Sequence, residues 1–372
     1  MKQFLAGLAA CAAANLAFAQ GVTDSQVLLG QSVALTGPAE QLGKDMQLGA
    51  SLYFNWVNSH GGVNGRRIVL KTLDDGYDPK RAAENTKALI AQDKVFALFG
   101  YVGTPTSQAS MPIFTEARVP YVAPFTGAEL LRSPTNRYIF NVRASYFDET
   151  EVIVQHLTAM SIDKIAVFYQ NDAYGQAGLA GVERALKKRK LEVSAKATFE
   201  RNTVDVKAAV DTMAKNDPQA IIMIGAYKAC AAFIRDMKKA GKSPTFWNVS
   251  FVGSKALAKE LDREGRGVQI SQVVPFPWDP SIPVVKEYKK LIDEAKGEPG
   301  FGTLEGFIGA KVMVEGLRRA GKKLDRESFI RAMESMSDYD VGGFKVSFSP
   351  GDHNGSKFVD LTIISRDQKF VR

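Results

Sequence analysis

The sequence predicts an α/β protein of two doubly wound lobes, and three observations carry the prediction. At 372 residues the chain exceeds one ordinary domain and fits two of roughly 150 to 200 residues. Short apolar strands without polar alternation recur between helices, the pattern of parallel sheets covered on both faces. The alternation stops after Val119–Ala123 and restarts at Ile165, so there are two series rather than one.

Val27 to Ala34 reads as a buried strand, and Lys44 to Asn58 as an amphipathic helix ended by Gly61-Gly62. Arg67 to Leu73 is a strand, and Asp78-Pro79 opens a helix with Asp as N-cap and Pro at its first position. Val95–Phe99 is a third strand, a helix follows from about Pro105, and Val119–Ala123 is a fourth strand. The second series runs from the strand Ile165–Tyr169 to a helix from about Tyr174. It continues with the strand Leu191–Thr198, the helix Val204–Lys215, the strand Ala220–Ile224 and the helix Ala226–Lys239. The tail offers helices near Val284–Ala295, Leu304–Ala320 and Arg326–Met336, then a few short strands. These make no third lobe, so the chain is expected to cross between the lobes more than once. Small molecules bind such folds in the cleft flanked by the carboxyl ends of the strands.

Composition narrows the function. Hydrophobic residues at 45% and charged residues at 24% exclude disordered, collagenous and fibrous chains. The net charge of +8 is mildly basic, but no Lys/Arg run carries interleaved aromatics, so no nucleic-acid partner is expected. Lys187–Lys190 and Arg318-Arg319 read as solvated helix ends. Three histidines and two cysteines leave little for metal, thiol or imidazole chemistry. His60, His156 and His353 have no ligand spacing among themselves, and His60 and His353 read as surface loops. There is no G-x-G-x-x-G after a strand, no G-x-x-x-x-G-K-[ST] and no G-x-S-x-G. Asp74, Asp75 and Asp78 lack the later glutamate of a calcium loop and read as strand-end and cap residues. Binding without bond-breaking is expected, with no cofactor or metal.

The first nineteen residues read as an export signal: Lys2, an Ala/Leu-rich stretch, then Ala17-Phe18-Ala19 as a small-x-small cleavage site. Cleavage after Ala19 makes Gln20 the mature N-terminus and places the protein in the periplasm. Leu8-Ala9-Ala10-Cys11 resembles a lipidation box, but the apolar segment before Cys11 is too short to favour it. Cys230 then remains as the one cysteine, which forbids an internal disulfide and reads as a small core residue.

The informative segment is Phe99-Gly100-Tyr101-Val102-Gly103-Thr104-Pro105-Thr106-Ser107. A strand ends, glycines permit a tight turn, and Thr104 takes the cap position before Pro105. Free N–H groups of the first helical turn, with the hydroxyls of Thr104, Thr106 and Ser107, make a site for a carboxylate. A plain capped helix is the competing reading.

With Leu35-Thr36-Gly37-Pro38, Asn58 to Arg66, Asp74 to Pro79, Val119 to Pro124, Asn171 to Gly175 and Gly225-Ala226-Tyr227, this segment gives the chain a family resemblance. It resembles the type I periplasmic solute-binding proteins of ABC importers, specifically the leucine/isoleucine/valine-binding family, over nearly the whole mature chain. The resemblance implies two Rossmann-like lobes joined by a three-crossover hinge that closes on ligand. Their expected bounds are residues 20–143 plus 274–348 and residues 144–273 plus 349–372. It also implies delivery of a small-molecule carboxylate to a membrane permease, by a protein expected to be a monomer.

The resemblance assigns Thr104 to the ligand carboxylate, beside Val102 and Gly103. Phe125, Thr126 and Gly127 follow as a second polar segment, with Gly127 where relatives commonly carry a hydroxyl. Tyr174 and Tyr227 stand where second-lobe aromatics cover the ligand, lobe core being their competing reading, and Leu42 replaces an aromatic at the cleft lip. Tyr77 and Gly103 match two positions that some relatives join by a disulfide. Ser250 stands where amino-acid binders carry Glu against the ligand ammonium. An unpaired buried ammonium is costly, so a des-amino acid is expected to bind better than its amino-acid counterpart. Asp148 and Glu305 are the two residues able to reverse this, although Asp148 to Glu151 also reads as a capping box. A ligand-sensing module of the same fold is the alternative function.

Overall fold

The computed structural model describes residues 20–372. The first sheet comprises β1 (Gln26–Val33), β2 (Arg67–Asp74), β3 (Ala97–Phe99), β4 (Tyr121–Val122) and β5 (Ile139–Phe140). They run parallel in the order β2-β1-β3-β4-β5, connected through α1 (Glu40–Ser59), α2 (Pro79–Ala91) and α3 (Thr104–Glu116). The second unit begins with α4 (Tyr146–Ala159), then β6 (Ile165–Gln170), α5 (Ala173–Lys187), β7 (Lys196–Phe199), α6 (Lys207–Asn216) and β8 (Ala220–Ile224). It continues through α7 (Tyr227–Lys239), β9 (Thr245–Asn248), α8 (Ser254–Leu261) and β10 (Gln269–Gln272).

The chain then returns to the first sheet's side as α9 (Pro283–Glu294), α10 (Phe301–Ala320) and α11 (Arg326–Glu334), with a small ladder of β11 (Tyr339–Asp340) and β12 (Lys345–Val346). It ends as β13 (Asp360–Ile364) and β14 (Phe370–Val371), which extend the second sheet in the order β14-β13-β10-β9-β8-β6-β7. β13 is antiparallel to both β10 and β14. The chain thus passes between the sheets three times, after β5, β10 and β12.

Local chemistry explains most element ends. The Asp78 carboxylate caps α2 by accepting from Arg81 N at 2.9 Å, ahead of Pro79. Asp74 accepts from Leu35 N at 2.8 Å, and buried Asp75 accepts from Ser32 Oγ at 2.7 Å and Tyr77 N at 2.8 Å. Both carboxylates therefore tie the β1 and β2 ends together, as expected. β7 is shorter than its apolar run because Leu191 N donates to Leu186 O, closing the C-terminal turn of α5. Cys230 lies fully buried in α7, and burial pushes its thiol far above the usual range.

One histidine differs from expectation. His353 is buried: Nδ1 lies 2.9 Å from Ile139 O and the ring stacks on Phe140 at 4.1 Å. The third crossover pairs with the first there, Asn141 N donating to His353 O and Gly355 N to Asn141 O. The expected leader and Cys11 lie outside the described residues. Among the described residues no helix is long and apolar enough to cross a membrane.

α10 packs on α1 at backbone contact distance, since a Cβ on Gly49 runs into Thr303 O and one on Gly306 into Met46 O. Gly49→Val is accordingly expected to destabilise the fold by about 1–3 kcal/mol through overpacking, read as a lowered urea midpoint. An unchanged midpoint refutes the close approach.

Candidate ligand-binding site

The N-terminus of α3 is built by two glycines with left-handed backbone, Gly100 at φ 62° and Gly103 at φ 104°. Gly103, not Thr104, is the N-cap residue, so Thr104 is the first and Pro105 the second residue of the helix. Pro105 carries no N–H, which leaves those of Thr104 and Thr106 as the donors at the tip. Val102 pairs with Phe125 in an isolated parallel bridge and Gly103 N donates to Phe125 O, so the two expected binding segments lie side by side.

Their hydroxyls are used differently than expected. Thr104 Oγ1 lies 2.7 Å from Thr126 Oγ1, which lies 3.3 Å from Tyr146 OH. Thr106 and Ser107 turn inward instead, donating to Gly103 O at 3.0 and 2.6 Å. Of the three hydroxyls expected at the helix tip, only that of Thr104 does not turn to the Gly103 carbonyl, and it pairs with Thr126. The Tyr77 ring lies directly against the Gly103 backbone, so these two positions are neighbours without being cysteines.

Aromatics from both lobes meet around Phe251, which follows Ser250 in a short 3₁₀ turn. Its ring lies 4.6 Å from Tyr174, 5.5 Å from Phe125 and 6.0 Å from Tyr77. Tyr174 is fully buried, packs on Tyr146 at 5.4 Å, and its OH has no hydrogen-bond partner among the described residues.

Beside them lies a charged cluster that joins the lobes. Arg143, 1% exposed on the first crossover, donates from Nη2 to Glu149 Oε1 at 3.1 Å and also to Ser250 Oγ. Glu149, on α4, further accepts from Ser250 N at 2.7 Å and Ser271 Oγ at 2.6 Å. Arg143 Nη1 faces Glu305 Oε1 of α10 at 3.3 Å without hydrogen-bond geometry, and its Nε has no acceptor among the described residues. The guanidinium also sits 5.1 Å from the Phe125 ring. Burial, reinforced by the nearby Glu149 charge and opposed by Arg143, pushes the Glu305 carboxyl up to about 7. Sequence reasoning missed Arg143 and Glu149. The available signal was Glu149 sharing the buried stripe of α4 with Ile153 and Leu157.

A narrow cavity of about 10 Å³ between the lobes is lined by Leu42, Phe125, Ser250, Gly253, Gln272 and Glu305. Leu42 seats on Gly253, whose missing Cβ makes room for it. Towards solvent, Asp45 and Lys255 connect this cavity to a wider one of about 600 Å³, where Gln41 and Leu48 face Tyr227 and Lys228. Tyr227 therefore stands at the mouth, away from Thr104 and Tyr174.

Two expected binding residues are placed elsewhere. The Asp148 carboxylate closes a capping box with Ser145, accepting from its N at 3.0 Å and Oγ at 2.8 Å, so it caps α4 and does not face the cavity. Gly127 packs on the start of α4, where a Cβ would stand 2.7 Å from Tyr146 N. A hydroxyl residue does not fit at that position. Glu305, the other acid expected to reach this site, lines the same cavity as Ser250.

Comparison with known proteins agrees with this architecture. The periplasmic binding protein family model matches residues 26–368. A crystal structure of a possible leucine/isoleucine/valine-binding protein from Rhodopirellula baltica superposes with TM-score 0.90 at 32% identity, covering 94% of this chain and 97% of that one. A substrate-binding periplasmic protein from Ralstonia solanacearum gives 0.88 at 32% identity, with 93% and 99% covered. The leucine-, isoleucine-, valine-, threonine- and alanine-binding protein of Pseudomonas aeruginosa is 23% identical over 81% of this chain and 80% of its own length. On its two sheets, three crossovers and matched length, the chain belongs to the periplasmic binding protein family, as a type I member of the leucine/isoleucine/valine-binding kind.

Proposed function

We propose that the protein is exported by cleavage after Ala19, captures a small carboxylate between its lobes and delivers it to the permease of an ABC importer. The ligand is a branched-chain or other amino acid, or a related aliphatic or aromatic acid. It acts as a non-catalytic monomer whose lobes are residues 20–143 plus 274–348 and 144–273 plus 349–372. The observation that carries this reading is Thr104, whose N–H and hydroxyl stand at a helix tip beside Thr126 and the aromatics around Phe251. Val102 and Gly103 hold that tip, and Leu42, Tyr174 and Tyr227 supply apolar cover.

The test is a thermal-shift screen of refolded, ligand-stripped protein against amino, aliphatic and aromatic acids, followed by calorimetry. A true ligand at a hundredfold excess over Kd stabilises the native state by about 2.7 kcal/mol. Thr104→Ala is expected to weaken that ligand by about 1.5–3 kcal/mol, the range for one lost charge-assisted hydrogen bond. Unchanged affinity reduces Thr104 to a helix-tip residue. Tyr227→Ala, at the mouth, is expected to reduce both affinity and ligand-induced compaction in small-angle scattering. Equal compaction in mutant and wild type removes Tyr227 from closure.

A further inference from the structure

A second concave surface lies on the outside of the hinge. Its floor is aromatic: Trp278 of the second crossover stacks on Phe370 of β14 at 5.6 Å and 12°, and Phe276 meets Trp278 edge-on at 5.1 Å. Phe301 backs the cluster, 5.6 Å from Trp278 and 5.5 Å from Phe370. The groove has a volume of about 550 Å³, within the usual range for small-molecule sites. Phe276 and Trp278 are each only half-buried, so the aromatic wall faces solvent.

The charged residues that line the groove are lysines. Lys255, Lys259 and Lys369 line it, and among the described residues no carboxylate does. Among the described residues Lys259 has no carboxylate within 4 Å, while Lys255 and Lys369 pair with Glu298 and Asp367, whose side chains are 81% and 62% exposed. Ion pairs that open to water are weak and readily exchanged for a better-placed anion. A flat aromatic floor under a cationic rim complements a planar apolar body that carries one negative group. We propose that this groove is a second ligand site, separate from the interlobe cleft, for a small aromatic carboxylate. Phe301 and Lys255 also line the interlobe cavity, which places the two sites on either side of one ring.

The probe is 2-naphthoate, titrated by calorimetry into mature, ligand-stripped protein. Saturable binding that persists in Thr104→Ala is expected, weakened about tenfold or more by Lys259→Glu, the scale of reversing one charge near a carboxylate. Trp278→Ala is expected to abolish it. Lys259 is exposed on α8, so its reversal leaves the fold intact even where the tryptophan variant does not fold. Absence of saturable binding, or binding indifferent to Lys259→Glu, overturns the proposal. Loss of the naphthoate signal in Thr104→Ala overturns it too, by placing the probe in the cleft. Failure of the cleft to bind any acid leaves this outcome untouched, because neither lysine nor tryptophan variant reports on Thr104.

Discussion

Arg143→Met is expected to destabilise the protein by about 3–5 kcal/mol, read as a lowered urea midpoint. The guanidinium lies between Glu149 and Glu305, two buried carboxylates on helices of different lobes. Removing it leaves two like charges in a buried site, and methionine fills the volume without compensating either. Glu149 retains Ser250 N and Ser271 Oγ as donors, so Glu305 takes the proton instead. The charge-balanced double variant Arg143→Met with Glu305→Gln is accordingly expected to recover part of the loss. Destabilisation below about 1 kcal/mol in the single variant, the value of an exposed pair, refutes the cluster's role.

That cluster also marks the limit of what the sequence discloses. The two parallel series, the Asp78 cap and the glycine turn before Thr104 were legible because each depends on residues close in sequence. The α1–α10 contact and the burial of His353 depend on residues hundreds of positions apart, joined only by the crossovers. Arg143, Glu149 and Glu305 come from a crossover and two helices of different lobes, and no local pattern pairs them. Asp148 and Glu149 show how close the two cases lie. Adjacent acids on α4 differ by one step of helical rotation, which turns one to the Ser145 cap and the other to Arg143. The Ser250 departure and Glu305 as a candidate acid were both visible, but the Arg143 guanidinium that faces Glu305 was not.

Glu305→Gln separates the ligand classes. If Glu305 meets the ligand ammonium, the variant is expected to weaken amino-acid binding by about 2–5 kcal/mol, the cost of truncating one partner of a buried charge pair. Leucine and phenylalanine then lose affinity while their 2-keto and des-amino analogues keep theirs. The same residue sets a pH dependence whose sign follows from its raised pKa. Burial lifts the carboxyl from the usual 4.5 to about 7, so folding takes up a proton in that window. Its contribution to stability is fully present below about pH 4.5 and falls, by about 3 kcal/mol, as the pH rises through 7. Asp45 and Asp75, which burial pushes up to about 6, add slopes of the same sign. Only the difference between wild type and Glu305→Gln isolates Glu305, and that difference is expected to close at low pH and widen in favour of the variant above pH 7. An ammonium against Glu305 favours its ionised form, so amino-acid affinity is expected to rise with pH over the same interval. Equal losses for amino acids and their analogues, or tighter wild-type binding of the analogues, removes Glu305 as the counter-ion and returns the cleft to des-amino acids.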